Sequence, residues 1–129
     1  MKLFYRLANT CFGKHLIRFL FSKMTFALPL KRVRETSNLF AFYHPSPSHP
    51  FHVIIVPRQP VASLADLEPQ NITFLSELIA TVQGLVKEFN LPAYRLVVNG
   101  GTYQDLPYLH FHLVSDTEPH PATPPQENG

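Results

Sequence analysis

Apolar and polar positions alternate with a two-residue period in several short segments of this chain, as in strands that bury one face. Segments 38–44 and 51–57 form a first pair, and the three prolines between them favour a turn, which predicts an antiparallel hairpin. Segments 94–100 and 108–114 form a second pair, joined through an Asn-Gly-Gly turn signal. The pattern therefore predicts four strands.

The stretch 71–90 follows a helical period instead, over about five turns. Asn71 begins an Asn-Ile-Thr sequence that has the form of a glycosylation acceptor, but at the start of a helix it is better explained as a cap. A short helix is predicted to start at Ser63 and to end before Pro69. The order of elements predicts an α+β domain in which a mostly antiparallel sheet packs against one long helix. The apolar residues of that helix are Ile72, Leu75, Leu78, Ile79, Val82, Leu85, Val86 and Phe89.

The chain has 129 residues, of which 45% are hydrophobic, and this is enough for one domain with a single core. We assign the domain to residues 36–116. Residues 117–129 contain four prolines and no periodic apolar residue, so they are predicted to form a flexible tail. Lys14, Arg18 and Lys23 interrupt the most hydrophobic stretch, and integral membrane insertion is not expected.

The net charge of +2 is unevenly distributed, because eight of the eleven Lys and Arg residues precede Glu35 and no acidic residue does. Residues 1–35 are therefore predicted to form a basic amphipathic arm, with a helix at 11–24 that separates basic from apolar side chains. Such a helix can dock on its own domain, contact an anionic membrane or a partner through residues 1–23, or act as an organellar targeting segment. A short basic arm without a recognisable module predicts no specific nucleic-acid binding.

Cys11 is the single cysteine, which excludes an intrachain disulfide and a cysteine-based zinc site. A lone thiol is compatible with a reducing compartment. We therefore expect an intracellular and most simply a cytoplasmic protein, with peripheral membrane association or organellar targeting as alternatives.

His110 and His112 stand two residues apart in an apolar segment, so in a strand their imidazoles share one face. Three explanations remain open from this spacing. The rings can be structural, satisfied by backbone groups. They can be zinc ligands, with His44, His49 or His52 of the first hairpin completing the site. They can also act in nucleophilic catalysis, in which one imidazole attacks an activated phosphorus and the other holds its oxygens.

The sequences LFAFYHPSPSHPFHVIIVPR (39–58) and LVVNGGTYQDLPYLHFHLVSD (96–116) resemble the histidine triad (HIT) superfamily of nucleotide hydrolases and transferases, nearest its Hint branch. The resemblance rests on the element order, the strand ending in VIIVPR, the asparagine turn and a glutamine ahead of the histidine strand. It implies a sheet continued across a homodimer, paired through the long helix and the strand at 94–99. It also implies chemistry that needs no metal or cofactor.

The family signature has three histidines at alternate positions, and here Tyr108 stands at the first. The resemblance implies that His110 is the nucleophile on the α-phosphorus and that His112 contacts the same phosphate. A shifted register would make His110 the first histidine and His112 the second, with Val114 as the third. Gln104 and the closing apolar residues favour the unshifted register.

The remaining substrate-binding positions implied by the resemblance match unevenly. Asn99 matches an asparagine near the phosphate, and His52 matches a histidine beside the active-site rings. Asp105 departs from a usual Ser or Thr near the leaving group. His44 departs from an aspartate that holds the ribose hydroxyls in Hint-type members. Tyr108 has a hydroxyl that can donate a hydrogen bond where the first histidine would.

The resemblance implies a nucleotide hydrolase or transferase that cleaves a nucleotidyl bond, such as a phosphoramidate, through a nucleotidyl-histidine intermediate. A catalytically weak module that binds nucleotides or phosphate and recruits partners is the first alternative. A zinc-binding protein is the second.

Overall fold

The computed structural model describes residues 31–118. It contains the strands β1 (Arg32–Glu35), β2 (Leu39–Tyr43), β3 (Phe51–Pro57), β4 (Arg95–Val98) and β5 (Phe111–Ser115), and one helix, α1 (Ile72–Glu88). Single 3₁₀ turns lie at Leu64–Asp66 and Gly101–Tyr103. The predicted arm helix at 11–24 and most of the predicted tail lie outside the described residues.

All strand pairs are antiparallel, and the sheet order is β1-β2-β3-β5-β4. The predicted α+β fold, an antiparallel sheet packed on one long helix, is confirmed. The five-stranded sheet has one strand more than the pattern predicted. This strand, β1, lies in the segment 1–35 that was assigned to the arm. Its sequence RVRE has too little apolar alternation to predict a strand.

The helix α1 begins as predicted, because the Asn71 side chain accepts a hydrogen bond from the Phe74 amide at 3.2 Å. Its buried face packs on one side of the sheet. Past its end, Asn90 adopts φ +53°, and the Leu91 amide donates to the Val86 carbonyl, which closes the last turn. The buried helix residues are Phe74, Leu78, Thr81, Val82 and Leu85.

Strand alternation divides the buried side chains between the two faces of the sheet. Leu39 and Ala41 of β2 pack in the core under α1. The intervening Phe40 and Phe42 pack on the other face with Val56, in a second cluster. The candidate site histidines belong to this second face, which α1 does not cover, so the fold leaves room there for a site.

The turn from β1 to β2 is tied to the helix by Glu77. Its carboxylate accepts hydrogen bonds from the Asn38 amide and side chain, at 3.1 and 2.7 Å, and from the Thr36 hydroxyl. Within residues 31–118, no helix has the length and apolar content needed to cross a membrane.

Candidate active site

Neighbouring strands bring the predicted histidines together on the face of the sheet opposite α1. His52 lies on β3 and His112 on β5, and their ring centroids are 5.1 Å apart. His44 follows β2, and its ring lies 4.4 Å from that of His52. His110 precedes β5, with its ring 4.9 Å from that of His112. His49, in the hairpin loop, lies at the margin with its ring 5.8 Å from that of His52.

β5 begins later than the predicted strand at 108–114. The Leu109 amide donates to the Val61 carbonyl at 2.7 Å instead of to a neighbouring strand, so ladder pairing starts at Phe111. His110 is therefore held just outside the strand, where its ring bonds to its own backbone segment.

The side chain of His110 is oriented by the carbonyl of Tyr108. Nδ1 of His110 lies 2.7 Å from that oxygen, and the residue is 9% exposed. A carbonyl oxygen can only accept a hydrogen bond, so Nδ1 carries the hydrogen. In the neutral ring Nε2 then holds an unshared electron pair, which is the requirement for a nucleophile.

In His112 the hydrogen is on the other ring nitrogen, and a series of hydrogen bonds determines this. The Ser48 amide donates to Nδ1 of His52 at 3.2 Å, so the hydrogen of neutral His52 is on Nε2. That Nε2 lies 2.9 Å from Nδ1 of His112 and donates to it. The hydrogen of neutral His112 is therefore on Nε2, and this nitrogen is a hydrogen-bond donor.

His44 is fixed in the same way by the hairpin loop. The Ser46 amide donates to Nδ1 of His44 at 2.9 Å, so Nε2 of His44 also carries the hydrogen. Its ring is half-buried and nearly parallel to that of His112, with the centroids 6.2 Å apart. The cluster thus combines one ring with a free electron pair at Nε2 and others with a donor there.

Three rings of the cluster, those of His44, His52 and His112, favour the neutral form. Burial, reinforced by the neighbouring imidazoles, lowers the pKa of His52 to about 4 and that of His112 to about 4. Burial and His110 also lower the pKa of His44. The charge of Asp105 acts in the opposite direction on His44 and His112, but burial outweighs it. Near pH 7 the hydrogen-bond chain therefore persists.

Metal binding requires unprotonated nitrogens that converge on one point. His52 and His112 instead direct their facing nitrogens at each other. Among the residues that the structure describes, no group of three or more His, Cys, Asp or Glu side chains could hold a metal ion.

A family model of the HIT domain matches residues 26–118. The chain belongs to the HIT family. An uncharacterized HIT-like protein of Synechococcus elongatus is 30% identical over 109 residues, which span 82% of this chain and 89% of the relative. The adenosine 5′-monophosphoramidase of Saccharomyces cerevisiae is 28% identical over 89 residues, or 67% of this chain and 54% of the yeast protein.

The HIT fold is also recognised in solved structures. The HIT family hydrolase from Legionella pneumophila superposes with a TM-score of 0.67 at 24% sequence identity, over 76% of this chain and 91% of that one. At that identity the likeness establishes the fold alone.

Other predicted site residues of this HIT domain lie around the cluster rather than within it. Gln104 donates from Nε2 to the carbonyls of Ala62 and Leu106, at 2.7 and 2.8 Å, and so fastens the loop that leads to β5. Asp105 follows it with an exposed side chain. Asn99 is half-buried one residue beyond β4, level with His110 in the strand register.

Tyr108 does not direct its hydroxyl into the cluster, where sequence reasoning had placed a donor. Its ring is fully buried with Phe40 and Val56, and a buried hydroxyl needs an acceptor. The carbonyl of Pro57 supplies one at 2.8 Å. The part of Tyr108 that orients the site is its own carbonyl oxygen, on His110.

Sequence reasoning missed the backbone groups that set the ring orientations. The amides of Ser46 and Ser48 belong to the hairpin loop, which the prolines identified only as a turn. No side-chain pattern distinguishes an amide that caps an imidazole from one that faces solvent.

Proposed function

We propose that this protein is a nucleotide hydrolase or transferase of the HIT type, which cleaves a nucleoside phosphoramidate or a similar bond at the α-phosphorus. The observation that carries the proposal is the complementary protonation of His110 and His112. One ring offers an electron pair at Nε2 and its neighbour offers a hydrogen, with the centroids 4.9 Å apart. A phosphoryl group needs attack on phosphorus and donation to oxygen at the same time.

In the first step, Nε2 of His110 bonds to phosphorus, the P–N bond breaks, and the leaving amine takes up a proton from solvent. The Tyr108 carbonyl stabilises the positive charge that develops on the ring, through the Nδ1 hydrogen. Nε2–H of His112 donates to a phosphoryl oxygen. Water then attacks phosphorus and gives up a proton to solvent, the P–N bond to His110 breaks, and the nucleoside monophosphate leaves with the electron pair restored on His110. An acceptor other than water makes the enzyme a transferase.

The same hydrogen bonds support the unshifted register of the signature. A nucleophilic His112 would need an electron pair at Nε2, but the bond from His52 leaves that nitrogen protonated. The proposal therefore assigns Tyr108 to the first signature position. The similarity to a yeast adenosine 5′-monophosphoramidase supports a phosphoramidate substrate and the Hint branch.

The test compares single substitutions in turnover of adenosine and guanosine phosphoramidates. His110→Ala should lower kcat by several orders of magnitude, because the covalent route is lost. His112→Ala should lower kcat by ~10²- to 10³-fold, because one preorganised donor is lost. His49→Ala, at the margin of the cluster, is the matched control and should retain turnover. Melting curves check that all three variants are folded.

A nucleotide label that is stable to base and labile to acid should appear on His110 of the wild type during turnover. A label on His112 would show that the register is shifted, and equal losses in both variants would contradict the separate roles.

A binding module of low catalytic power is the second candidate, and one observation favours it. At neutral pH the imidazoles of His52 and His112 are uncharged, because the pKa of each is lowered to about 4. Neutral donors can hold a phosphate without activating its leaving group. Tight nucleotide binding by wild-type protein that turns over no phosphoramidate would establish this candidate instead.

We also propose a homodimer in which β4 continues the sheet. Within the described residues β4 pairs only with β5, which leaves its other edge available. Tyr94 and Leu96 beside that edge are 51% and 37% exposed, and Ile79 on α1 is 51% exposed. An uncovered strand edge with apolar neighbours is suited to pairing with a second copy.

A further inference from the structure

Strand β4 carries a cation on the same face of the sheet as the imidazole cluster. Its residues pair with β5 in an unbroken antiparallel register, which sets Arg95 opposite Val114 and Val97 opposite His112. Directly paired residues project from the same face of a sheet, and so do residues two apart along one strand. Arg95 therefore lies on the face of His112.

The other residues of β4 agree with this orientation. Leu96 is opposite Leu113, which belongs to the core under α1, and Val98 packs against the same core. These positions alternate with Arg95, whose side chain therefore projects away from α1. Arg95 is then a diagonal neighbour of His112 on the paired strand, at about 7–8 Å, a separation that a long side chain can span.

The guanidinium of Arg95 is exposed, and it forms no ion pair within residues 31–118. Outside that range the sequence contains one acidic residue, Glu127. Two other arginines of this face, Arg32 and Arg58, are already paired, because both bond to Glu35, at 2.8 and 2.6 Å. A guanidinium presents planar donors that match a carboxylate or a phosphate, so Arg95 is suited to an anionic group of a ligand.

The order of side chains along β5 places Arg95 at the end of the site away from the nucleophile. His110 comes first, His112 follows, and Val114, the partner of Arg95, comes last. In an in-line displacement at phosphorus the leaving group departs on the side opposite to the attacking atom. With phosphorus between His110 and His112, as the proposed function requires, the direction away from His110 leads past His112 toward Arg95.

We propose that Arg95 recognises the leaving group, so that the site prefers a nucleoside phosphoramidate whose departing amine carries an anionic group, a carboxylate or a phosphonate or phosphate. This inference rests on the proposed function for the position of the phosphorus. The nucleoside monophosphate part carries its charge on the α-phosphate, so a further anion near Arg95 belongs to the departing amine. Arg95 thus has a specificity role that is separate from the attack by His110.

The experiment uses three adenosine phosphoramidates with leaving amines of similar length. One is made from 4-aminobutanoate, one from 3-aminopropylphosphonate, and one, which is neutral, from pentylamine. We measure kcat/KM for each compound, and Kd in the His110→Ala background, which cannot form the covalent intermediate. The quantity compared is the ratio of an anionic to the neutral compound within one variant, so that a loss of folded protein cancels.

Arg95→Gln removes the charge, and Arg95→Lys keeps the charge without the planar pair of donors. Arg32→Gln is the matched control, since Arg32 projects from the same face but lies on β1, at the other side of the sheet. Analytical ultracentrifugation checks that the Arg95 variants keep the assembly of the wild type, because β4 is the strand proposed to pair between subunits.

The wild type should prefer the anionic compounds to the neutral one by ~3- to 10-fold, as expected for a charge-assisted contact at an exposed position. Arg95→Gln should abolish this preference, Arg95→Lys should retain part of it, and Arg32→Gln should keep it. Added salt should reduce the preference in the wild type, because ions screen the charge. A preference for only one of the two anions supports the inference and identifies that anion.

An unchanged ratio in Arg95→Gln would overturn the inference, and so would an equal loss for all three compounds, which would place Arg95 on the α-phosphate instead. A wild type that prefers the neutral compound would also overturn it, and would indicate that the carboxylate of Asp105 dominates the charge near the leaving group.

Failure of this inference and failure of the proposed function give different results. Turnover without charge preference leaves the proposed function standing and removes the role of Arg95. A charge preference in Kd without any turnover removes the proposed catalysis and retains the role of Arg95 in binding. If the Arg95 variants do not fold, the wild type still decides, because a preference that is absent or that salt does not reduce contradicts the inference.

Discussion

Acid should destabilise this domain through His52, and replacing that ring by phenylalanine should remove much of the effect. His52 is 7% exposed, and its pKa is lowered to about 4 in the folded protein. The unfolded chain returns it to its ordinary value of 6.5. Between pH 6.5 and about pH 4 the unfolded state binds a proton that the native state does not bind, so the free energy of unfolding falls as the pH falls.

The size of this loss of stability follows from the difference between the pKa of His52 in the unfolded and folded states. At about pH 4.5 the ring of His52 is almost fully protonated in the unfolded chain and mostly neutral in the folded protein. This difference lowers the free energy of unfolding by about 2 kcal/mol relative to pH 7. His112, whose pKa is also about 4, adds to this loss. The two rings share a hydrogen bond and His112 is partly exposed, so their contributions do not simply add. Together they are expected to lower the free energy of unfolding by about 3 kcal/mol. That is a large share of the 5–15 kcal/mol that stabilises typical domains.

His52→Phe keeps a ring of similar shape and removes the titrating group. Near pH 7 it should lower the free energy of unfolding by about 1 to 2 kcal/mol, because the bond to His112 and the bond from the Ser48 amide are both lost. Near pH 4.5 it should be at least as stable as the wild type, so the two stability curves cross. Urea unfolding followed by far-UV circular dichroism at several pH values measures this, and His49→Phe at the margin is the matched control, expected to keep most of the wild-type dependence. Parallel curves for the wild type and His52→Phe would show that protonation of His52 does not cause the acid sensitivity.

Two further predictions concern the core and the assembly. Tyr108→Phe should lower the free energy of unfolding by about 1 kcal/mol, because it deletes a buried hydrogen bond to the carbonyl of Pro57. Its kcat should change little. A large loss of kcat without loss of stability would instead place the hydroxyl in the reaction. Analytical ultracentrifugation at micromolar concentration should give a dimer for the wild type and a monomer for Leu96→Glu, and a monomeric wild type would remove the dimer proposal.

The elements with a strong hydrophobic period were predictable from the sequence. The buried residues of α1, such as Leu78 and Leu85, recur at helical spacing, and Asn71 before them is a recognisable cap. The strand β1 was not predictable, because its single apolar residue, Val33, is a weak signal until β2 and the helix are present to pack against.

The membership of the histidine cluster was also predictable, since His110 and His112 share a periodicity and His52 lies on a strand of suitable composition. The protonation state of each ring was not. It depends on backbone atoms of Ser46, Ser48 and Tyr108, whose directions are decided by loop conformation rather than by residue type.

The hydrogen bond between His52 and His112 joins residues 60 positions apart, which has a consequence for how the protein acquires its chemistry during folding. The β2–β3 hairpin is local and can form early, with His44 and His52 already adjacent. The β3–β5 pairing requires closure of a long loop that contains α1 and β4, and such contacts form slowly. A chain still emerging from the ribosome therefore lacks the hydrogen bond between His52 and His112 until β5 has docked, and the proposed site is complete only when the sheet is complete.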